Sequence, residues 1–415
     1  MENNNFIKHL HLGNIPSDWE VVDAISVCTK ITDGTHDTPA TTINGMPYIK
    51  SVHIKKGTIT FDKCLFLRKD DHNIIYKRCN PEKGDLLIVN IGAGNIGDCA
   101  YVNVDFEFSM KNIALLKPDP KLLDGMFLYQ YYKSRQQKIT QSAKSGGAQP
   151  FLSISNLKKL KVVMPPLLEQ QKIAKILTRW DKAISTTERL IDNSKQQKKA
   201  LMQQLLTGKK RLLDNSGKPF GGEWHTQKLS DLFTFSTSSS KTKFIDNDGD
   251  SYILDMGSVS RAGKLIPTKK TKISKDYLFK GQLVMPKDDI GGGQIIGRVG
   301  YVDQSEMYIL SDHVYCLTPK SDCSLFLSYL INHHKVNKEL RRKVNGTAQL
   351  GLGKKDAEKQ PVSIPKDIVE QQKIATVLTN SDKEIELLEQ QLADLKKEKK
   401  ALMQQLLTGK RRVKV

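Results

Sequence analysis

The chain has 415 residues, enough for two to four domains with proper cores. It carries a formal charge of +20 with a pI near 9.5, a balance that favours a polyanionic partner, nucleic acid or an anionic membrane surface, over an acidic one. There is no apolar run of about 18 residues, no signal-peptide core in MENNNFIKHLHLGNIP, and no CxxC pair among Cys28, Cys64, Cys79, Cys99, Cys316 and Cys323, which argues against a spanning segment, a disulfide framework and a metal site and reads as a cytoplasmic protein with reduced thiols.

Residues 1–165 read as a first globular head. β-like phrases lie between turn signals: YIKSVHI at 48–54, GTITF at 57–61, GDLLIVNI at 84–91 and CAYVNV at 99–104. A helical stretch follows at 122–139, then the glycine-bearing loop KSGGAQP at 144–150, then a strand, KKLKVVMPP, which Pro165 and Pro166 end. The spelling Gly92-Ala93-Gly94-Asn95-Ile96-Gly97 matches a dinucleotide fingerprint, but that chemistry needs a helix N-terminus to receive the pyrophosphate. What comes next, DCAYVNV, alternates like a strand, so the segment is read as a tight turn.

Residues 166–212 predict a long helix, with no interior Pro or Gly and a stop at Gly208. A hinge-like linker at 213–222 precedes a second head at 223–365, and 366–415 predict a second long helix ending at Gly409. The helices are copies: 169–212 and 370–413 align without gaps at an offset of 201, with about 26 of the first 43 positions identical. Such self-similarity fixes architecture ahead of any single motif. The heads repeat more faintly. GQLVM at 281–285 answers GDLLI, the helical 325–344 answers 122–139, NGTAQ at 345–349 answers SGGAQ, and Glu223-Trp224 answers Trp19-Glu20.

In the first helix Leu177, Trp180, Ile184, Thr187, Ile191, Ser194, Lys198, Leu201 and Leu205 fall on a 3.5-residue period. Leu378, Ser381, Ile385, Leu388, Leu392, Leu395, Lys399, Leu402 and Leu406 keep the same phase in the second. Either each helix lies on a head as an ordinary amphipathic element, or the two form a seam. A continuous helix here would be about 57 Å long, and a single apolar stripe needs a partner to be stable. Antiparallel pairing within the chain is the preferred arrangement, with dimerisation through the seam as its competitor. The expected fold class is α+β, with two heads separated by two long antiparallel helices in an intramolecular coiled coil of pseudo-twofold form.

Enzymatic machinery is not legible. There is no GxxxxGK[ST] loop and no Asn-Pro-Pro-aromatic tetrapeptide, and DLKKEKK at 394–400 reads as a solvated helix face. His36 and the His333-His334 pair have no triad or metal company, so the catalytic and metal assignments are both none.

Nucleic-acid candidates recur in both heads. TDGTHDTP at 32–39 sets Asp33, Thr35 and His36 around a glycine turn, either an ordinary surface turn or a loop offering donors and acceptors to base edges. Lys144, Ser145 and Gln149, like Lys343, Asn345 and Gln349, flank glycines that bring backbone amides close to a ligand. Lys50 in the first head, and Lys241, Lys243, Arg261 and Lys264 in the second, are candidates for backbone attraction.

With the Trp19 opening, DGTH at 33–36, a proline shortly before each EQQKIA and LLTGK closing each helix, the chain resembles, over its whole length, the specificity (S) subunit of bacterial type I restriction–modification systems. The resemblance implies that residues 1–165 and 223–365 are target-recognition domains, each reading one half of a split DNA sequence. It implies that the helices set the gap and dock modification (M) subunits, giving one S chain with two M subunits and two restriction (R) subunits for cleavage. S-adenosylmethionine, ATP and Mg would then be held by the partners and no cofactor by this chain. The alternatives are the specificity subunit of a type II-like fused enzyme and, in another class, a coiled-coil adaptor that binds no DNA.

Overall fold

The structure, a computed structural model, describes residues 6–9, 12–55, 57–92, 96–145, 151–289, 292–346 and 350–414. Two compact units cut across chain order: residues 1–188 with 391–415, and residues 189–390.

The first unit is built on a four-stranded antiparallel sheet. Its order is β6 (Cys99–Tyr101), β5 (Leu86–Val89), β8 (Ile113–Pro118), β2 (Cys28–Asp33). The apolar runs LLIV and IALL are buried at every position. Because side chains alternate across a strand, such runs mean that both sheet faces are covered. Leu86, Ile88, Ala114 and Leu116 pack with Phe127, Leu128 and Tyr132 of α2 (Gly125–Ala143), whereas Leu87, Val89, Ile113 and Leu115 pack with Ile49, Phe108 and Met110. The latter come from a second sheet, β7 (Ser109–Lys111), β3 (Met46–Lys50), β4 (Leu65–Leu67), in which β7 and β3 are parallel. A third pairing joins β1 (Glu20–Asp23) to β9 (Lys161–Met164). The strand after the glycine-rich segment, β6, is antiparallel to the strand before it, and Gly92 and Gly97 both have positive φ. The segment is a turn and not a dinucleotide fingerprint, although residues 93–95 lie outside the described ones.

The second unit repeats the topology. Its four-stranded sheet runs β11 (Phe233–Ser236), β17 (Val314–Pro319), β14 (Leu283–Pro286), β15 (Gly300–Tyr301). The second sheet runs β13 (Lys269–Thr271), β12 (Ser251–Leu254), β16 (Tyr308–Leu310), with β12 and β16 parallel. β10 (His225–Lys228) pairs with β18 (Pro361–Ile364). One expectation fails here: the helical stretch at 325–344 is two helices, α4 (Ser324–Asn332) and α5 (His334–Arg342). His333 is extended between them (φ −62, ψ 139). The cause is Asn332, whose side chain bonds both backbone groups of Val299 and whose carbonyl accepts from Arg298 Nη1 at 2.5 Å instead of continuing the helix.

The repeated helices are α3 (Leu167–Leu205) and α6 (Ile368–Leu406), 39 residues each with bounds that keep the 201 offset. Each unit holds the start of one against the end of the other. In the first, Asp181 pairs with Lys399 at 2.6 Å and Glu188 with Lys396 at 2.7 Å. In the second, Asp382 pairs with Lys198 and Glu389 with Lys195, both at 2.6 Å. Numbers rise on one helix as they fall on the other, so the pairing is antiparallel, and these are the same two ion pairs shifted by 201. Among the counted seam residues, Leu177, Ile191, Leu205, Leu378, Ile385 and Leu406 are buried. Trp180, Ile184, Leu201, Leu388, Leu392, Leu395 and Leu402 are half-buried. Lys399, read in sequence as part of a solvated face, is buried on Asp181.

EQQKIA explains itself as a socket. Gln170 Oε1 accepts from the Asp124 amide, and its Nε2 donates to the carbonyls of Leu122 and Pro165. Gln371 does the same for Cys323, Asp322 and Pro365. The buried Glu169 carboxylate receives Nε and Nη2 of Arg412, both at 2.8 Å, and Glu370 receives those of Arg211, both at 2.6 Å. Gly208 (φ 68) and Gly409 (φ 69) turn the chain after each helix into this clamp. A Cβ on Gly409 would lie 2.2 Å from Pro16 Cγ, whereas on Gly208 the nearest atom, in the Trp224 ring, is 3.2 Å away. Gly409→Ala is therefore expected to destabilise the first unit by more than the ~1–2 kcal/mol of the left-handed backbone alone, and by more than Gly208→Ala costs the second. Urea unfolding of the two variants checks the order.

All six cysteines are free thiols, five of them buried. Burial pushes Cys28, Cys79 and Cys99 up to about 12. No described helix is long and apolar enough to cross a membrane.

Candidate nucleic-acid interface

The DGTH segment closes the first sheet against the second. Strand β2 ends at Asp33, and Gly34 donates its amide to the Ile113 carbonyl. A Cβ on Gly34 would meet the Met110 carbonyl oxygen at 2.1 Å, so only glycine fits. Thr35 then donates its amide to Met110 and accepts from the Asn112 amide, while its hydroxyl accepts from the Asp37 amide. Asp33 and Thr35 are buried by this closure.

Asp33 therefore does not face outward as a base-edge acceptor. Its Oδ1 accepts from Arg78 Nη2 at 2.6 Å, and its Oδ2 lies 2.9 Å from His36 Nε2. His36 Nδ1 faces Asn112 Oδ1 at 3.0 Å, and Asn112 itself is held at φ 57 just before β8. Arg78 closes α1 (Lys69–Arg78). Lys111 donates to the Thr38 hydroxyl at 2.5 Å on the same side. The adjacent Tyr48 phenol is raised to about 12 by burial and by the charge of Asp37. Lys50 is half-buried, with its ammonium over the Tyr48 ring.

In the second head the residue just before β17 is again left-handed, His313 at φ 62. It lies 2.6 Å from Asp288 and 3.4 Å from Asp312. Desolvation would raise Asp312, but the Ser311 hydroxyl, His313 and Ser240 hold it below the usual carboxylate range. Lys241 donates its amide to Ser311 Oγ, placing its side chain beside this group, with Lys243 exposed next to it. Arg261 is exposed. Lys264 points elsewhere: it pairs with Glu386 at 2.5 Å and lies 4.0 Å from Asp382, both on α6. Two further cations of the basic front are internally paired, Lys269 with Asp255 and Lys272 with Asp246.

The glycine loops sit at equivalent hairpin tips. Lys144 and Ser145 pair with Leu152 and Phe151, and Asn345 exchanges backbone hydrogen bonds with Gly351. Lys343 Nζ turns back to the Asp356 carbonyl at 3.3 Å. Gln149 and Gln349 lie outside the described residues. Among the described residues no cluster of His, Cys, Asp and Glu has the makings of a metal site. Arg78, Asn112, Asp288 and His313 were not singled out from sequence. Arg78 had a sufficient local reason as a cation in the last turn of a helix, and its partner lies 45 residues away.

The two units, alike in strand order and different in the side chains at their strand ends, match the "Type I restriction modification DNA specificity domain" twice, over residues 16–195 and 221–397. The chain belongs to this family. The MjaVIII type I restriction enzyme specificity subunit of Methanocaldococcus jannaschii is 27% identical over 437 residues, covering 98% of this chain and 96% of that protein. The crystal structure of a type I restriction–modification S subunit from M. genitalium has a TM-score of 0.63 at 17% identity, covering 96% of this chain and 98% of that one. A chain from a structure describing complex assembly and conformational transition of the type I R-M system has a TM-score of 0.53 at 16% identity, covering 95% and 99%. This chain is thus a type I DNA specificity subunit, and the type II-like fused reading is not favoured.

Proposed function

We propose that each head reads one half of a bipartite, asymmetric duplex site and that the chain itself is non-catalytic. The two long helices set the gap between half-sites and dock two M subunits, with R subunits joining for cleavage. S-adenosylmethionine, ATP and Mg belong to those partners, and the assembly works in the cytoplasm. One observation carries this reading: at the same strand ends the first head presents His36, Arg78 and Asn112, and the second Lys241, Asp288 and His313. One frame with two different sets of donors and acceptors suits two different half-sites, whereas identical heads would favour a palindrome.

The test is to map methylated bases across the genome of a host carrying the chain with its M subunit. A single split, asymmetric motif is expected; a single palindrome, or no modified motif beside an active M subunit, counts against the reading. Affinity of the purified complex for duplex DNA should also fall steeply with salt, by about 0.9 log unit per log unit of salt for each phosphate neutralised. A coiled-coil adaptor would show no such dependence.

A further inference from the structure

We propose that Arg78 reads a guanine in the half-site of the first head, with Asp33 as the residue that positions it. This rests on the reading above that the head contacts duplex DNA. Asp33 is the fixed point: its side chain is only 10% exposed and its two oxygens are taken by Arg78 and His36. Arg78 keeps 57% of its side chain exposed while Nη2 is bonded to that carboxylate. A guanidinium presents two edges of paired N–H groups, and Nη2 contributes one hydrogen to each. A single bond through Nη2 engages one edge, restrains the plane, and leaves the other two-donor edge facing solvent. That free edge matches the O6 and N7 acceptors of guanine in the major groove.

The surroundings favour a base over a phosphate. A cavity of about 260 Å³ beside Arg78 is lined by Thr35, Asp37, Pro39, Asp71, Ile74 and Ile75. Asp37 and Asp71 repel a phosphate but can accept from a base amino group, and Asp71 is itself held by Arg68 at 2.8 Å. Pro39, Ile74 and Ile75 give the cavity an apolar wall, with Ile74 standing out into solvent. Flexible, strongly hydrated lysines serve backbone attraction; an arginine restrained by a carboxylate loses less freedom on binding and suits recognition.

The experiment compares the full chain in complex with its M subunits as wild type, Arg78→Ala, Arg78→Lys, Asp33→Asn and the Asp33→Asn/Arg78→Ala double variant. Methylated-base maps and affinities for the mapped site are the readouts. Arg78→Ala should lose about 10- to 100-fold in affinity and relax one guanine position of one half-site, leaving the other half-site intact as proof of a folded complex. Arg78→Lys should not restore that position, because it keeps the charge and loses the fork. Asp33→Asn should loosen the same position more mildly and add nothing to Arg78→Ala, as a positioning role requires. An unchanged motif and affinity overturns the proposal. So does an even weakening across all sequences with a salt slope reduced by about one, which would make Arg78 a phosphate contact. If the wild-type complex marks no bipartite motif, the DNA-reading proposal beneath it fails first.

Discussion

Arg211→Met should melt the second unit on the order of 10 °C below its normal midpoint while the first unit unfolds as before. Glu370 is fully buried, and its two oxygens receive Nε and Nη2 of Arg211. Arg211 Nη1 and Nη2 also donate to the carbonyls of Gly222 and Gly221, tying the segment after α3 to the start of α6. Removing the arginine strands a carboxylate in the interior, and breaking a buried pair from one side costs about 3–5 kcal/mol. Removing both charges, in Arg211→Met with Glu370→Gln, should recover most of that loss, because the stranded charge and not the missing attraction dominates it. Scanning calorimetry of the full chain reads both variants. A loss below about 1 kcal/mol for the single variant would show that water reaches Glu370. Arg412→Met should act likewise on the first unit, where Arg412 is shared between Glu169 and the more exposed Asp18.

Inserting one heptad into both long helices should lengthen the gap of the modified motif and leave both half-sites as they were. The insertion belongs between Glu188 and Lys195 in α3 and between Glu389 and Lys396 in α6, points related by the 201 offset. There it separates the first unit's pairs, Asp181–Lys399 and Glu188–Lys396, from the second unit's, Asp382–Lys198 and Glu389–Lys195, without breaking any of them. Seven residues keep the phase of a 3.5-residue seam and add about 10 Å, up to about three base pairs of duplex. Inserting four residues in one helix alone should instead destroy activity, since the facing helix no longer meets its partners. Methylated-base mapping decides between these outcomes, and altered half-sites would defeat the idea that the helices act as a ruler.

What the sequence made legible follows from what repeats. The two helices announced themselves because the socket residues Glu169, Gln170, Glu370 and Gln371 and the clamp arginines have one job each, twice over. Strand positions were visible as apolar runs, since LLIV and IALL are covered on both faces. The break at His333 was not visible, because it arises from Arg298 and Val299 reaching Asn332 across the fold. The same is true of the interface. Asp33 and His36 drew notice as a motif, but what Asp33 does depends on Arg78, and no spacing rule connects them. Lys264 looked like a surface cation and serves the helix instead.

The division into units has a consequence for synthesis. The second unit needs residues 189–390 and is whole as soon as these have left the ribosome, but the first needs 391–415 as well. Trp19 and Pro16 wait for Gly409, Glu169 for Arg412, and Asp181 for Lys399. The head made first is therefore completed last. A premature stop that removes only the final stretch of the chain should expose the N-terminal head to proteases while sparing the second.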